Sequence, residues 1–125
     1  MITLAENIIQ AWEDRDGPII LTTVNEKGVP NSVYATSISL YDNCTIVIAD
    51  NYLNKTRENI LANCTGSILF MTTAGKAYQF KGSFTYHKYG EIFENMKKWN
   101  PKRLPGHAAV AFTISEVYSG SDKLI

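Results

Sequence analysis

Lys55, Thr56 and Arg57 stand together where a strand-like run, Thr45-Ile46-Val47-Ile48-Ala49, passes through a polar turn into the helix-forming stretch Lys55 to Asn63. The first turn of a helix carries unpaired N–H donors and the positive end of the helix dipole, which makes it an anion site even without side chains. Lysine adds a mobile point charge, threonine a hydroxyl, and arginine a planar fork able to grip two oxygens of one phosphate. Together they suit a dianionic phosphate monoester, with Asn54 as the N-cap. Two cations at an already positive helix end are mildly destabilising unless an anion joins them. The same residues also suit a solvated helix start, in which Lys55 and Arg57 face water and Glu58 softens their repulsion. On spacing alone both readings stand.

A second chemical feature is Ser32-Val33-Tyr34-Ala35-Thr36-Ser37, a strand that follows the turn Gly28-Val29-Pro30 and mixes small hydroxyl residues with one large aromatic. Small side chains leave main-chain amides approachable, so a flat heteroaromatic ring can lie along such a strand. A plain half-buried strand has the same composition. His87 and His107 fall in no metal-ligand spacing and receive no role, and neither a GxSxG elbow nor a glycine-rich phosphate loop is present. Three Asn-x-Thr triplets, at Asn43, Asn54 and Asn63, are read as chance.

The elements that must position these residues follow from the rest of the chain. Its 125 residues are 45% hydrophobic, and twelve basic residues balance twelve acidic ones, so a single domain, residues 1–125, with its own core is expected. Zero net charge leaves no electrostatic footprint for nucleic acid or an anionic membrane. No apolar run reaches the ~18 residues of a membrane span, and the first residues lack the grading of a signal peptide, so a cytoplasmic protein is expected. Cys44 and Cys64 are read as free, structural thiols.

Thr3 and Glu6 have the form of a capping box opening a first helix, with Leu4, Ile8, Ala11 and Trp12 on its apolar stripe and Gly17-Pro18 as its stop. Three strands, Ile19 to Asn25, Pro30 to Tyr41 and Thr45 to Ala49, read as an antiparallel meander. After the short helix come Gly66 to Thr73 and then Ala77 to His87, in which Tyr78, Phe80, Phe84 and Tyr86 alternate with polar residues and Gly82 marks a bend or bulge. Lys88 to Trp99 reads as a third helix and Ala108 to Val117 as a last strand. Six strands with short connections and three modest helices predict a mainly β protein built on a six-stranded antiparallel barrel, whose closure removes exposed edges.

Taken in order, the GVP turn, the SVYATS strand, the IVIAD strand and above all NKTRENILANCTGSILFMT resemble the FMN-binding split-barrel superfamily, the pyridoxamine 5′-phosphate oxidase-like proteins. The likeness runs from about Ile19 to the C-terminus, and its most specific part is the Lys-Thr-x-x-Asn helix start. Carried over residue by residue, it implies that Lys55 and Thr56 bind the FMN phosphate and that Asn59 supports that turn. It further implies that Val33, Tyr34, Ala35 and Thr36 border the isoalloxazine and that Asn51 lies on the loop approaching the ribityl phosphate. Relatives often carry proline at the position of Cys64 and His or Ser at that of Asn54; neither departure removes a phosphate donor.

The resemblance also implies a homodimer with the flavin between subunits, where Trp99 and Leu124 or Ile125 are candidates to reach it across the interface. The C-terminal basic motif expected of a true pyridoxamine-phosphate oxidase is not seen, so vitamin B6 chemistry is not expected. The implied function is an FMN flavoprotein that exchanges electrons with a small-molecule donor or acceptor, with no catalytic side chain required. The alternatives are a ligand-binding protein without turnover, a deazaflavin (F420) binder, and a structural barrel with no ligand.

Overall fold

The computed structural model describes residues 2–125. Along the chain lie α1 (Glu6–Glu13), β1 (Ile19–Val24), β2 (Pro30–Ala35), β3 (Ile38–Asp42), β4 (Thr45–Asp50), α2 (Asn54–Leu61), β5 (Thr65–Met71), β6 (Ala77–His87), α3 (Glu91–Trp99), β7 (Ala108–Ser119) and β8 (Asp122–Lys123). Every strand pairing is antiparallel, in the order β2-β1-β5-β6-β7-β4-β3, with β8 set against β7.

Strands β2 and β3 occupy opposite ends of this order, yet only Thr36 and Ser37 separate them in the chain. A sheet whose ends are tied so closely must curl until they meet, so it forms an antiparallel split barrel with its seam at β2 and β3. The Ala49 N–H donates to the Ser37 carbonyl at 2.9 Å and holds that seam against β4. The expected single strand over Pro30 to Tyr41 is therefore two, because its halves pair with opposite ends of the sheet. The expected three-strand meander resolves into two hairpins, β1–β2 and β3–β4. With the short β8, the six strands expected become eight among the described residues.

The barrel interior is filled from alternate positions: Ile19 and Leu21 of β1, Ile46 and Ile48 of β4, Ile68 and Phe70 of β5, Phe80 and Phe84 of β6, and Val110, Phe112 and Ile114 of β7. Helix α1 lays Ile8, Ala11 and Trp12 of the expected stripe onto this core, Leu4 joins them from the segment just before the helix, and the Trp12 ring meets the Phe70 ring edge-on, centroids 5.3 Å apart. Strand β4 is buried on both faces because α3 covers its outside, where Met96 packs with Val47, Ala49 and Ala109, and Trp99 joins them half-buried. Trp99 is thus a half-buried anchor of α3 on the barrel.

The starts of α1 and α3 differ from expectation. Thr3 forms no capping box: the N-cap of α1 is Ala5, without a side-chain cap, because the Leu4 N–H is drawn to the Asn43 carbonyl and Leu4 is buried. Helix α3 begins at Glu91 rather than Lys88, since Gly90 at φ 95° lies where a helix cannot continue backwards. Gly82 does mark a bulge: the β6–β7 register shifts between Lys81 and Gly82. A methyl group on Gly82 would collide with the Thr113 main-chain oxygen, which belongs to the paired strand and cannot swing aside. Gly82→Ala is expected to destabilise the fold by ~2 kcal/mol or more, read as a lower urea midpoint, whereas a midpoint equal to wild type would show that the sheet accommodates a side chain there.

Candidate functional site

A cavity of about 300 Å³ opens at the seam, lined by Val33, Tyr34, Ala35, Thr36 and Ser37 on one side and by Ile48, Ala49, Asn51, Tyr52, Leu53 and Leu104 on the other. The volume lies at the lower end of small-molecule sites. Its floor is apolar through Ile48, Ala49, Val33 and Leu53, and its rim carries Tyr34 and Tyr52, each 75% exposed. Strand β2 ends the sheet order, so one of its edges presents main-chain N–H and C=O groups that no strand has taken. A second groove of about 360 Å³ shares Thr36, Ser37 and Leu104 with the first and adds Trp99 and Arg103.

Helix α2 starts at the lip of the cavity, since its N-cap is Leu53 and not the expected Asn54. Asn54 is instead the first helical residue, at φ 30°, and no side chain caps the helix. The first-turn amides of α2 are therefore not taken by a capping group. Lys55 stands in solvent with its ammonium 2.9 Å from Glu58 Oε2, both side chains about two-thirds exposed. Such an exposed pair is weak and easily exchanged for a stronger anion.

The start of α2 is held by Asp50, which is 0% exposed. Its carboxylate accepts the Arg57 Nε–H at 2.6 Å, an Arg57 Nη–H at 2.9 Å, the Tyr86 hydroxyl at 2.5 Å and the Leu53 N–H at 3.2 Å. Its main-chain oxygen accepts the His107 N–H at 2.9 Å. Burial alone pushes the Asp50 carboxyl upward, but the donors from Arg57, Tyr86 and Leu53 outweigh it and leave the group below the ordinary carboxylate value. Tyr86 is pushed up to about 12, by burial first and then by its bond to Asp50. The hydrogen bonds to Asp50 raise Arg57 as well. The Arg57 fork therefore closes on Asp50 and not on a ligand phosphate, which corrects the expectation from the helix start.

The residues named from sequence fall into three groups. Val33, Tyr34, Ala35, Thr36 and Asn51 converge on the cavity. The Asn51 side chain is also a latch, exchanging amide hydrogen bonds with Asn100 at 3.1 and 2.9 Å and accepting the Gly106 N–H at 2.9 Å. Lys55, Thr56 and Asn59 belong to the adjoining helix. Thr56 is fully buried, its hydroxyl accepting Asn31 Nδ2–H at 3.1 Å, and Asn59 donates to the Thr23 hydroxyl at 3.0 Å, so the two side chains dock α2 on β2 and β1. Trp99 lies in the neighbouring groove with its Nε1–H donated to Asn95, while Leu124 and Ile125 are exposed beyond β8.

The pyridoxamine 5′-phosphate oxidase profile matches residues 6–120, nearly the whole chain. The chain belongs to that family. A protein of Methanocaldococcus jannaschii is 31% identical over 124 residues, covering 95% of this chain and 82% of its own. Among solved structures, HupZ of Group A Streptococcus superposes with a TM-score of 0.82 at 24% identity, covering 98% of this chain and 97% of its own. An FMN-binding protein from Syntrophomonas wolfei superposes with a TM-score of 0.78 at 18% identity, covering 90% and 83%. These structural likenesses confirm the split-barrel fold.

In this family member the sequence reading passed over Asp50, Tyr86, Asn100 and Leu104. One signal was available: a carboxylate ends an otherwise apolar strand, IVIAD, seven positions before an arginine, and a buried acid needs such a partner. Because folding makes Asp50 more acidic, its carboxylate stabilises the native state above about pH 4 and loses that contribution as the pH falls through the lowered native value. Tyr86 runs the other way: its phenol stabilises below about pH 10 and fades as the pH rises toward the value near 12. Asp50→Asn is expected to cost ~3 kcal/mol at neutral pH and to flatten the acid limb of a urea-stability profile. An unchanged acid limb would assign that limb to other carboxyls.

Proposed function

We propose that the chain is an FMN-binding flavoprotein that passes electrons between small molecules. The observation that carries this reading is the junction of two complementary features: an apolar-floored cavity along the unpaired edge of β2, and the uncapped, lysine-bearing start of α2 at its lip. A planar heteroaromatic ring fits the first, with Val33, Tyr34, Ala35 and Thr36 along one side. A phosphate fits the second, where the first-turn amides, that of Thr56 included, donate hydrogen bonds and Lys55 leaves Glu58 to add its charge. Asn51, Thr56 and Asn59 keep the turn and helix in register with the sheet, so the donors need little rearrangement on binding.

Bound there, FMN would supply the redox chemistry, in one- or two-electron steps. The chain's own contribution is to orient the ring through main-chain groups of β2, to exclude water with Ile48, Ala49 and Leu53, and to fix the phosphate. No side chain at the cavity is arranged as a nucleophile or general base among the described residues. We further propose that the functional unit is a cytoplasmic homodimer: the split seam and the groove carrying Trp99 face outward, and a second copy would cover them, with Leu124 or Ile125 in reach. The reading is supported by family membership and by the FMN-binding relative of the same fold.

Purified protein is expected to take up FMN one-to-one with quenching of flavin fluorescence, and to bleach with a nicotinamide donor or dithionite. Lys55→Ala is expected to weaken that uptake by ~1–3 kcal/mol, the range for losing a charge-assisted hydrogen bond. A protein that binds no FMN in this titration would overturn the reading, and an unchanged affinity in the variant would remove Lys55 from it.

A further inference from the structure

We propose that the hollow on the far side of Asp50, lined by Arg57, Tyr86, Lys88 and His107, is a second anion site that takes the phosphate or a similar oxyanion group of a small metabolite. It is separate from the cavity at the seam and does not rest on flavin binding there. The hollow has a volume of about 380 Å³, and none of its four lining residues is acidic. They come from three separate stretches of chain: Arg57 from α2, Tyr86 from the end of β6 with Lys88 in the turn just after it, and His107 from the residue before β7. The His107 N–H bond to Asp50 ties the last of these to the same node as the first.

The carboxylate at this node, Asp50, is the ion-pair partner of Arg57 and is fully buried, so it offers no free oxygen to Lys88 or His107. Asp50 already accepts four hydrogen bonds, from Leu53, Tyr86 and twice from Arg57, which fills the roughly four lone-pair positions of a carboxylate. Arg57 is held in place by that contact but stays 34% exposed, and its second terminal nitrogen, Nη1, bonds to no described residue. Lys88 is exposed and, like His107, has no carboxylate partner among the described residues. A clamped guanidinium with free N–H groups, a mobile ammonium and an imidazole around one hollow make a three-sided donor set for an oxyanion.

The test is a titration of the intact chain with inorganic phosphate at fixed pH, following the His107 ring signals by NMR, with sodium chloride at matched ionic strength as the control. Saturable one-to-one shifts that chloride does not reproduce are expected. Lys88→Gln, a change at an exposed position, is expected to weaken the phosphate affinity about tenfold, while Lys55→Ala leaves it unchanged. FMN uptake by Lys88→Gln should equal that of wild type. Shifts that chloride reproduces, or that fail to saturate, overturn the proposal, as does wild-type phosphate affinity in Lys88→Gln. Loss of phosphate binding in Lys55→Ala, or of FMN uptake in Lys88→Gln, would merge the hollow with the flavin site and end its standing as a separate one.

Discussion

The buried carboxylate of Asp50 is the constraint around which the cavity-bearing end of this barrel is built. A lone ionised acid in an apolar strand would be expensive to bury, so its four hydrogen bonds are a condition of the fold and not an ornament. Those bonds set the direction of the chain as it leaves β4, clamp Arg57 on the first turns of α2, and fix the Tyr86 hydroxyl at the end of β6. Asn51, the next residue, extends the same node to Asn100 and Gly106. The start of α2 is thus held from outside the helix, which explains how it can remain without a side-chain cap of its own.

Topology supplies the other half of the site. Placing β2 and β3 at opposite ends of one sheet, with two residues between them, leaves a seam where strand edges are not used up by each other. Most barrels remove their edges by closing; here one edge is kept and faces a hollow with an apolar floor. Main-chain groups offer hydrogen bonds whose positions do not depend on rotamers, so a planar ligand can be held without a conspicuous set of polar side chains. That is a physical reason why the chain carries so little that looks catalytic.

Much of the barrel was legible in one dimension because burial of one face imposes a period. The alternation of Tyr78, Phe80 and Phe84, the stripe of Ile8, Ala11 and Trp12, and the bulge at Gly82 each follow from a local rule that the tertiary structure respects. The failures have a common cause as well. Thr3 lost its capping role because Leu4 is drawn to Asn43, the run Pro30 to Tyr41 broke because its halves serve different sheet ends, and Arg57 turned from solvent to Asp50. In the first two cases partners distant in sequence overrode the local preference, and in the third a buried acid seven residues back did so.

Residue types and spacing by themselves determined the mainly β class, the apolar faces, the family resemblance and the basic helix start with Lys55 and Thr56. Only the tertiary structure decided which of those polar groups are free. It sealed Thr56 against Asn31 and Asn59 against Thr23, closed Arg57 on Asp50, left Lys55 in water, and gathered Arg57, Lys88 and His107 around one hollow. Periodicity reports which way a side chain faces, whereas pairing of polar groups depends on distances between segments that the chain brings together only on folding.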